Sequence, residues 1–173
     1  MLLIIRDISL IDKRKFFGIY EESTRENAEE FYPGMEINAA VKKAEGEFTE
    51  FLEEFMSRPE NSYWILEEDG VWVSALRLTQ TEPGFYYLEA LETRPDSRRR
   101  GCAARLIAAV TDELKKQGPF RICDCVSKRN LPSIRTHEAC GFRIASDAGF
   151  DYLSSETRDW DYGFEYSYDR AKE

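Results

Sequence analysis

The feature that most constrains the fold of this chain is a basic turn, residues 98–101, between a strand-like segment and an amphipathic helix. Three arginines followed by Gly101 come directly before the helical pattern. The first N–H groups of a helix have no partner within it and lie at the positive end of its dipole. Arginines at that end are unfavourable unless an anion accompanies them. The turn therefore predicts a phosphate-binding site rather than a solvated charge cluster.

The segments on both sides of this turn predict a strand, helix, strand unit. Apolar side chains recur every three or four positions after the turn, at Ala103, Leu106, Ile107, Val110 and Leu114. Gly118 and Pro119 end the helix, and residues 120–126 form the next strand. No hairpin joins this strand to residues 85–92, so we expect the two to run parallel with a right-handed crossover.

The rest of the chain predicts antiparallel strands and further helices. The other strands are expected at residues 2–8, 62–67, 71–79, 142–145 and 160–168, the last two paired across a loop of residues 146–158. The other helices are expected at residues 12–20, from 37 to 59 and from 130 to 141, with an irregular polar passage before residue 34. This order predicts an α/β (α+β) fold with a mixed, mostly antiparallel sheet of six to seven strands, a central βαβ unit and about four helices.

Composition narrows the class of protein. A chain of 173 residues predicts a single domain, residues 1–173, with a substantial core. A net charge of −9 argues against nucleic acid as a partner; it suits a cationic substrate, although solubility is the more common explanation of such a charge. No apolar run is long enough to span a bilayer, and the start does not resemble a signal peptide, so we expect no membrane partner and a cytoplasmic location. Four cysteines without paired spacing and a single histidine predict no metal site.

A second motif lies at residues 130–142. It begins with Asn130, carries Ser133 three residues later and ends with Gly141 and Phe142. Together with Arg98, Gly101 and Ala103 of the basic turn, this segment resembles the two motifs of the GNAT superfamily of N-acetyltransferases, in the order in which the family has them. The order of strands and helices agrees with the family as well.

This resemblance implies an enzyme that transfers an acetyl group from acetyl-CoA to a primary amine by direct attack. The acceptor would be a small-molecule or peptide amine, cationic if the negative charge reflects the substrate. A non-catalytic acyl-CoA-binding or sensing module of the same fold stays open as the alternative, and a homodimer is allowed. The residues implied in coenzyme A binding are Leu91, Thr93, Arg98, Arg99, Arg100, Gly101, Cys102, Ala103, Ala104, Asn130, Ser133 and His137.

Three side chains are candidates for the chemistry. Glu89 and Glu92 end the strand expected beside the thioester, and the resemblance favours Glu89 as the base. In a regular strand they would lie on opposite faces, whereas a bulge, common in the family here, would reset the alternation. His137 stands where the family usually has the tyrosine that protonates the leaving thiolate. Trp160 or Tyr162 is a further candidate for substrate contact.

Overall fold

Seven strands form one sheet in this computed structural model, which describes residues 1–169. Residues 170–173 of the predicted domain lie outside the described residues. The strands are β1 (Leu2–Ile5), β2 (Asn61–Glu68), β3 (Val71–Glu82), β4 (Phe85–Thr93), β5 (Phe120–Ser127), β6 (Arg143–Ser146) and β9 (Asp161–Tyr168), and a separate hairpin pairs β7 (Gly149–Asp151) with β8 (Glu156–Arg158). The helices are α1 (Lys13–Ile19), α2 (Glu21–Phe31), α3 (Ile37–Met56), α4 (Cys102–Lys115) and α5 (Leu131–Ala139).

The sheet has the mixed topology expected from the sequence. Its order is β1-β2-β3-β4-β5-β9-β6, and every pair is antiparallel except β4 with β5. The parallel pairing runs only from Phe85 opposite Arg121 to Leu88 opposite Asp124. Both strands continue beyond that point without pairing to each other, so a wedge opens between them.

Two apolar clusters hold the helices against the sheet. On one face, α4 buries Leu106, Ile107 and Val110 against the central strands. On the other face, α1 and α3 bury residues such as Phe16 and Leu52 against β2 and β3. Covering both faces leaves the wedge between β4 and β5 as an opening into the middle of the molecule. None of the helices in residues 1–169 is long and apolar enough to cross a membrane.

A β-bulge interrupts β4 at Ala90, which has φ +48°. The register passes from Ala75 opposite Glu92 to Arg77 opposite Glu89, so two residues of β4 face one of β3. The bulge resets the alternation, as the resemblance allowed. Glu89 and Glu92 consequently lie on the same face of the sheet. The charges of both contribute to raising the pKa of the buried Tyr63 hydroxyl.

The expectation for the segment before residue 34 was wrong. The passage expected to be irregular contains α2, which gives five helices within residues 1–169 rather than about four. The helix has no clear apolar stripe; it buries only Thr24 and Ala28, beside α3. Glu21 and Glu22 in its first turn suit the helix dipole. Tertiary packing, which short-range patterns do not report, stabilises this helix.

Two smaller expectations also differ from the structure. The first strand ends at Ile5 rather than residue 8, because Asp7 caps a short 3₁₀ turn by accepting from the Ser9 N–H. The expected loop 146–158 contains the β7–β8 hairpin, whose turn is held by Asp151 accepting from the N–H groups of Leu153 and Ser154. The expected hairpin between β6 and the terminal strand is confirmed.

Candidate active site

A cavity of about 830 Å³ occupies the wedge between β4 and β5. Its walls come from α2, β4, the basic turn, the start of α4, β5 and α5. Most residues implied in coenzyme A binding line it: Leu91, Thr93, Arg98, Arg99, Gly101, Cys102, Ala103, Ala104, Asn130 and Ser133. Arg100, His137, Trp160 and Tyr162 are outside the lining, and Trp160 is 67% exposed.

One end of the cavity is the N-terminus of α4. The Arg105 N–H makes the first bond of the helix, to the Gly101 carbonyl at 3.0 Å, so the preceding N–H groups have no acceptor within it. Gly101 has φ +75°, and a Cβ there would meet no atom within 4 Å. No side chain caps the helix. Free N–H groups, open space and a positive helix end make a cradle that fits a pyrophosphate.

The three arginines of the turn have different partners. Arg98 pairs with Glu22 of α2, and its Nε donates to the Thr93 carbonyl at 3.3 Å. Arg100 is outside the cavity lining, and its Nη2 atom lies 3.6 Å from Oε2 of Glu68. Arg99 lines the cavity and has φ +58°. Arg98 and Arg99 are thus the arginines placed to meet an anion in the cavity.

Cys102 is buried at the start of α4. Its thiol donates to the Ser97 carbonyl at 3.4 Å, and the cysteine side chain is 2% exposed. It fills space under the turn while its backbone N–H belongs to the cradle.

The end of β4 turns the backbone groups of Leu91 and Thr93 towards the cavity, where the Thr93 carbonyl already accepts from Nε of Arg98. The Arg94 N–H donates to the Val73 carbonyl at 2.9 Å, which directs that residue towards β3. Successive residues of a strand point their backbone groups to opposite sides, so those of Thr93 and Leu91 face the wedge. An extended amide-bearing chain can pair with such an edge as an added strand would.

The wall formed by α2 is acidic. Glu22, Ser23 and Glu26 of α2 line the cavity together with Glu92 of β4. Burial raises the pKa of Glu92 to about 7; the Ser23 hydroxyl and Arg98 oppose that change, and the charges of Glu26 and Glu22 add to it. At neutral pH this carboxyl therefore exists in both protonation states.

Glu89 lies outside the cavity lining. Its Oε1 atom is 3.5 Å from Nη2 of Arg77, whose guanidinium stacks 4.7 Å from the centre of the Phe51 ring. Burial raises the pKa of Glu89, while Arg77 partly offsets the effect. This arrangement is a buried ion pair under the bulge.

His137 is fully buried between the rings of Phe142 and Phe164, at centroid distances of 5.2 and 5.5 Å. Its Nδ1 atom lies 2.8 Å from the Ser133 carbonyl, and Nε2 lies 2.8 Å from Oδ2 of Asp124, off the line of the Nε2–H bond. Burial alone would lower the pKa of His137, but Asp124 and the Ser133 carbonyl raise it above its ordinary value. Asp124, not His137, lines the cavity.

The family model for the acetyltransferase (GNAT) family matches residues 19–142. The chain belongs to this GNAT family. The match confirms the family assigned from the sequence and supports acetyl-CoA-dependent N-acetyltransfer as the class of reaction. A non-catalytic module of the same fold is not favoured.

Within residues 1–169, no group of three or more His, Cys, Asp or Glu side chains is placed to hold a metal ion.

Individual relatives agree with the family. An aminoglycoside N(6')-acetyltransferase type 1 of Serratia marcescens is 43% identical over 56 residues, and the match spans 32% of this chain and 38% of that protein. The crystal structure of PaiA N-acetyltransferase from Thermoplasma acidophilum in complex with coenzyme A has a TM-score of 0.66 at 15% identity, covering 97% of this chain and 99% of that one. Aminoglycoside 6'-acetyltransferase type Ii has a TM-score of 0.63 at 13% identity, covering 96% of each chain. At these identities the structures confirm the GNAT fold.

Sequence reasoning missed the α2 wall and Asp124. The wall was missed because α2 itself was not predicted. Asp124 had a readable signal, since it shares the strand phase of Phe120, Ile122 and Val126, which all face the core. A carboxylate in the apolar phase of a strand requires a polar partner, and that partner is His137.

Proposed function

We propose that this chain transfers an acetyl group from acetyl-CoA to the primary amine of a small cationic molecule by direct attack. One observation carries the proposal: a single cavity joins an anion cradle at α4 to a carboxylate-lined wall at α2. The first suits the phosphates of acetyl-CoA, and the second suits an ammonium group. Family membership and the coenzyme A complex of the PaiA enzyme support the choice of donor.

Acetyl-CoA would lie across the wedge. Its pyrophosphate would accept from the N–H groups of Cys102, Ala103 and Ala104, with Arg98 and Arg99 nearby. Its pantetheine amides would pair with the free edge of β4 at Leu91 and Thr93. This position brings the thioester to the bulge, where β4 and β5 have parted.

Glu92 is the base that the geometry favours, in place of Glu89. It lines the cavity, its pKa of about 7 lies near the working pH, and it has not been committed to a buried ion pair as Glu89 has. An ammonium group has a pKa of about 10.4 in water, so proton loss also needs the amine's pKa to fall on burial. The neutral amine then attacks the thioester carbon while Glu92 holds the proton.

The test is a thiol-release assay with acetyl-CoA and matched acceptors. Butylamine and 1,4-diaminobutane differ by one charged end, and an aminoglycoside and a peptide N-terminus represent two larger classes. We expect turnover with amines and a higher kcat/KM for the diamine than for butylamine. Tight acetyl-CoA binding without turnover on any acceptor would overturn the proposal, and preference for the peptide would overturn the small-molecule part.

Two expectations lie outside this proposal. The homodimer stays a prediction that analytical ultracentrifugation would check. The cytoplasmic location stays a prediction that cell fractionation would check.

A further inference from the structure

Asp124 joins a buried histidine to the cavity. Its side chain is only 8% exposed, yet it lines the cavity beside Cys125. On its other side Oδ2 is 2.8 Å from Nε2 of His137, off the line of the Nε2–H bond, and the imidazole ring is fully buried. The Asp124 carboxyl therefore lies between this imidazole's Nε2 and the cavity.

The backbone of α5 sets the state of the ring. The Ser133 carbonyl can only accept, so the ring's 2.8 Å contact with it requires a proton on Nδ1. The Ser133 hydroxyl lies 3.3 Å from the same nitrogen, which is already committed. The exchangeable position is consequently Nε2, the atom that faces Asp124.

We propose that Asp124 is the catalytic proton donor to the departing coenzyme A thiolate, and that His137 is a positioning residue that supplies the proton to Asp124. The proposal rests on the acetyl-transfer function above. It gives His137 a part in the reaction without contact with the substrate, and it assigns the contact to a residue that no sequence motif indicated.

The proton balance is simple. The amine forms the C–N bond and loses one proton to Glu92. The Nε2 proton of His137 moves to Asp124, the C–S bond breaks with its electron pair staying on sulfur, and sulfur takes that same proton from Asp124. Asp124 is left as a carboxylate beside a neutral imidazole that keeps its Nδ1 proton. Solvent then returns a proton to the pair as Glu92 releases its own.

The surroundings favour a proton held between the two side chains. Asp124 is buried among ionisable groups from three strands: Glu89 of β4, Cys125 of β5 and Asp161 of β9. His137 is packed between aromatic rings, with Asp124 as its ionic partner. Burial raises the pKa of Asp124, and Asp124 in turn raises the pKa of His137. Both shifts favour retention of the shared proton by the pair.

The chain has one histidine, so its ring gives an unambiguous NMR signal. Long-range ¹H–¹⁵N spectra recorded across pH should show an Nδ1–H tautomer and a midpoint above the ordinary 6.5. Asp124→Asn should lower that midpoint by about one unit or more. Asp161→Asn, a buried carboxylate without contact to His137, is the matched control and should shift it far less. A titration midpoint that does not move in Asp124→Asn would show that Asp124 and His137 do not interact as an ionic pair.

The kinetic test measures the donor role. Asp124→Asn should lower kcat by about 10- to 100-fold, the low end of general-acid effects because a thiolate leaves readily, with KM for acetyl-CoA nearly unchanged. The high-pH limb of the kcat profile, which in the wild type reports loss of the proton shared by Asp124 and His137, should disappear. His137→Gln should cause a similar loss, and the double variant should be no worse than either single one. His137→Gln also serves as the test of the donor role if the Asp124→Asn variant does not fold.

Unchanged kcat in both single variants would overturn the donor role. A wild-type enzyme that transfers acetyl to no amine would instead overturn the proposed function, and the donor role with it. The NMR titration would still decide whether the buried pair exists, so the two failures are distinguishable.

Discussion

The two ends of the cavity are built from different parts of the chain. The α4 end presents backbone N–H groups, and its chemistry depends on the conformation at Gly101 rather than on particular side chains. The α2 end presents carboxylates, and its chemistry depends on which side chains stand at residues 22, 26 and 92. A cofactor with constant phosphates can be held by backbone, whereas a specific acceptor needs side chains. In the proposed function, the first end would bind the cofactor and the second the substrate.

The largest effect should come from Glu92→Gln. Removing the base from the acidic end should lower kcat/KM for the amine about 100-fold and leave acetyl-CoA affinity unchanged, because the α4 end is intact. In wild type, the rate should rise with pH through about 7, where Glu92 ionises, and this limb should vanish in the variant. Steady-state kinetics from pH 5.5 to about 9 checks both.

Glu89→Gln is the companion to that variant. It weakens the buried pair with Arg77, so it should lower the melting temperature more than Glu92→Gln does while keeping the limb near pH 7. The reverse pattern would return the base role to Glu89.

The cofactor end should respond to backbone strain. Gly101→Val places a β-branched residue at φ +75°, where strain costs about 1–3 kcal/mol although the space is open, so acetyl-CoA should bind about tenfold more weakly. Gly46→Ala is the matched control, since its position in α3 also has open space but an ordinary φ. Calorimetric titration measures both affinities. Equal affinities would show that the cradle is not the binding site.

The acidic wall should show a smaller effect on the acceptor alone. Glu26→Gln should raise KM for 1,4-diaminobutane about threefold and change KM for butylamine less. Glu29→Gln, on the same helix but exposed and paired with Arg25, should change neither. Equal changes for the two amines would argue against charge recognition by this wall.

The smallest effect concerns the link between the two ends. Arg98 of the basic turn pairs with Glu22 of α2, and both side chains are about half exposed. Glu22→Gln should free Arg98 for phosphate and tighten acetyl-CoA binding about twofold, since exposed pairs contribute little. The gain should shrink in high salt. Weaker binding in the variant would mean that Glu22 helps to hold the turn in place.

The predictability of the two ends follows from how each is encoded. The basic turn, the Asn130 cap, which accepts from the Ser133 N–H, and the parallel strands are set by local signals, and the structure has all three. The α2 wall depends on packing against α3, which the sequence pattern of residues 21–31 does not predict. The faces of Glu89 and Glu92 depend on a bulge at Ala90, an alanine with no visible preference for φ +48°. The contact between His137 and Asp124 joins two elements and needs the fold before it can be seen.

A crystal structure with acetyl-CoA bound tests the central claim most directly. We expect the pyrophosphate on the N–H groups of Cys102, Ala103 and Ala104, the pantetheine beside Leu91 and Thr93, and the thioester between Glu92 and Asp124. Acetyl-CoA bound away from the wedge between β4 and β5, or with its thioester beside neither carboxyl, would contradict the account.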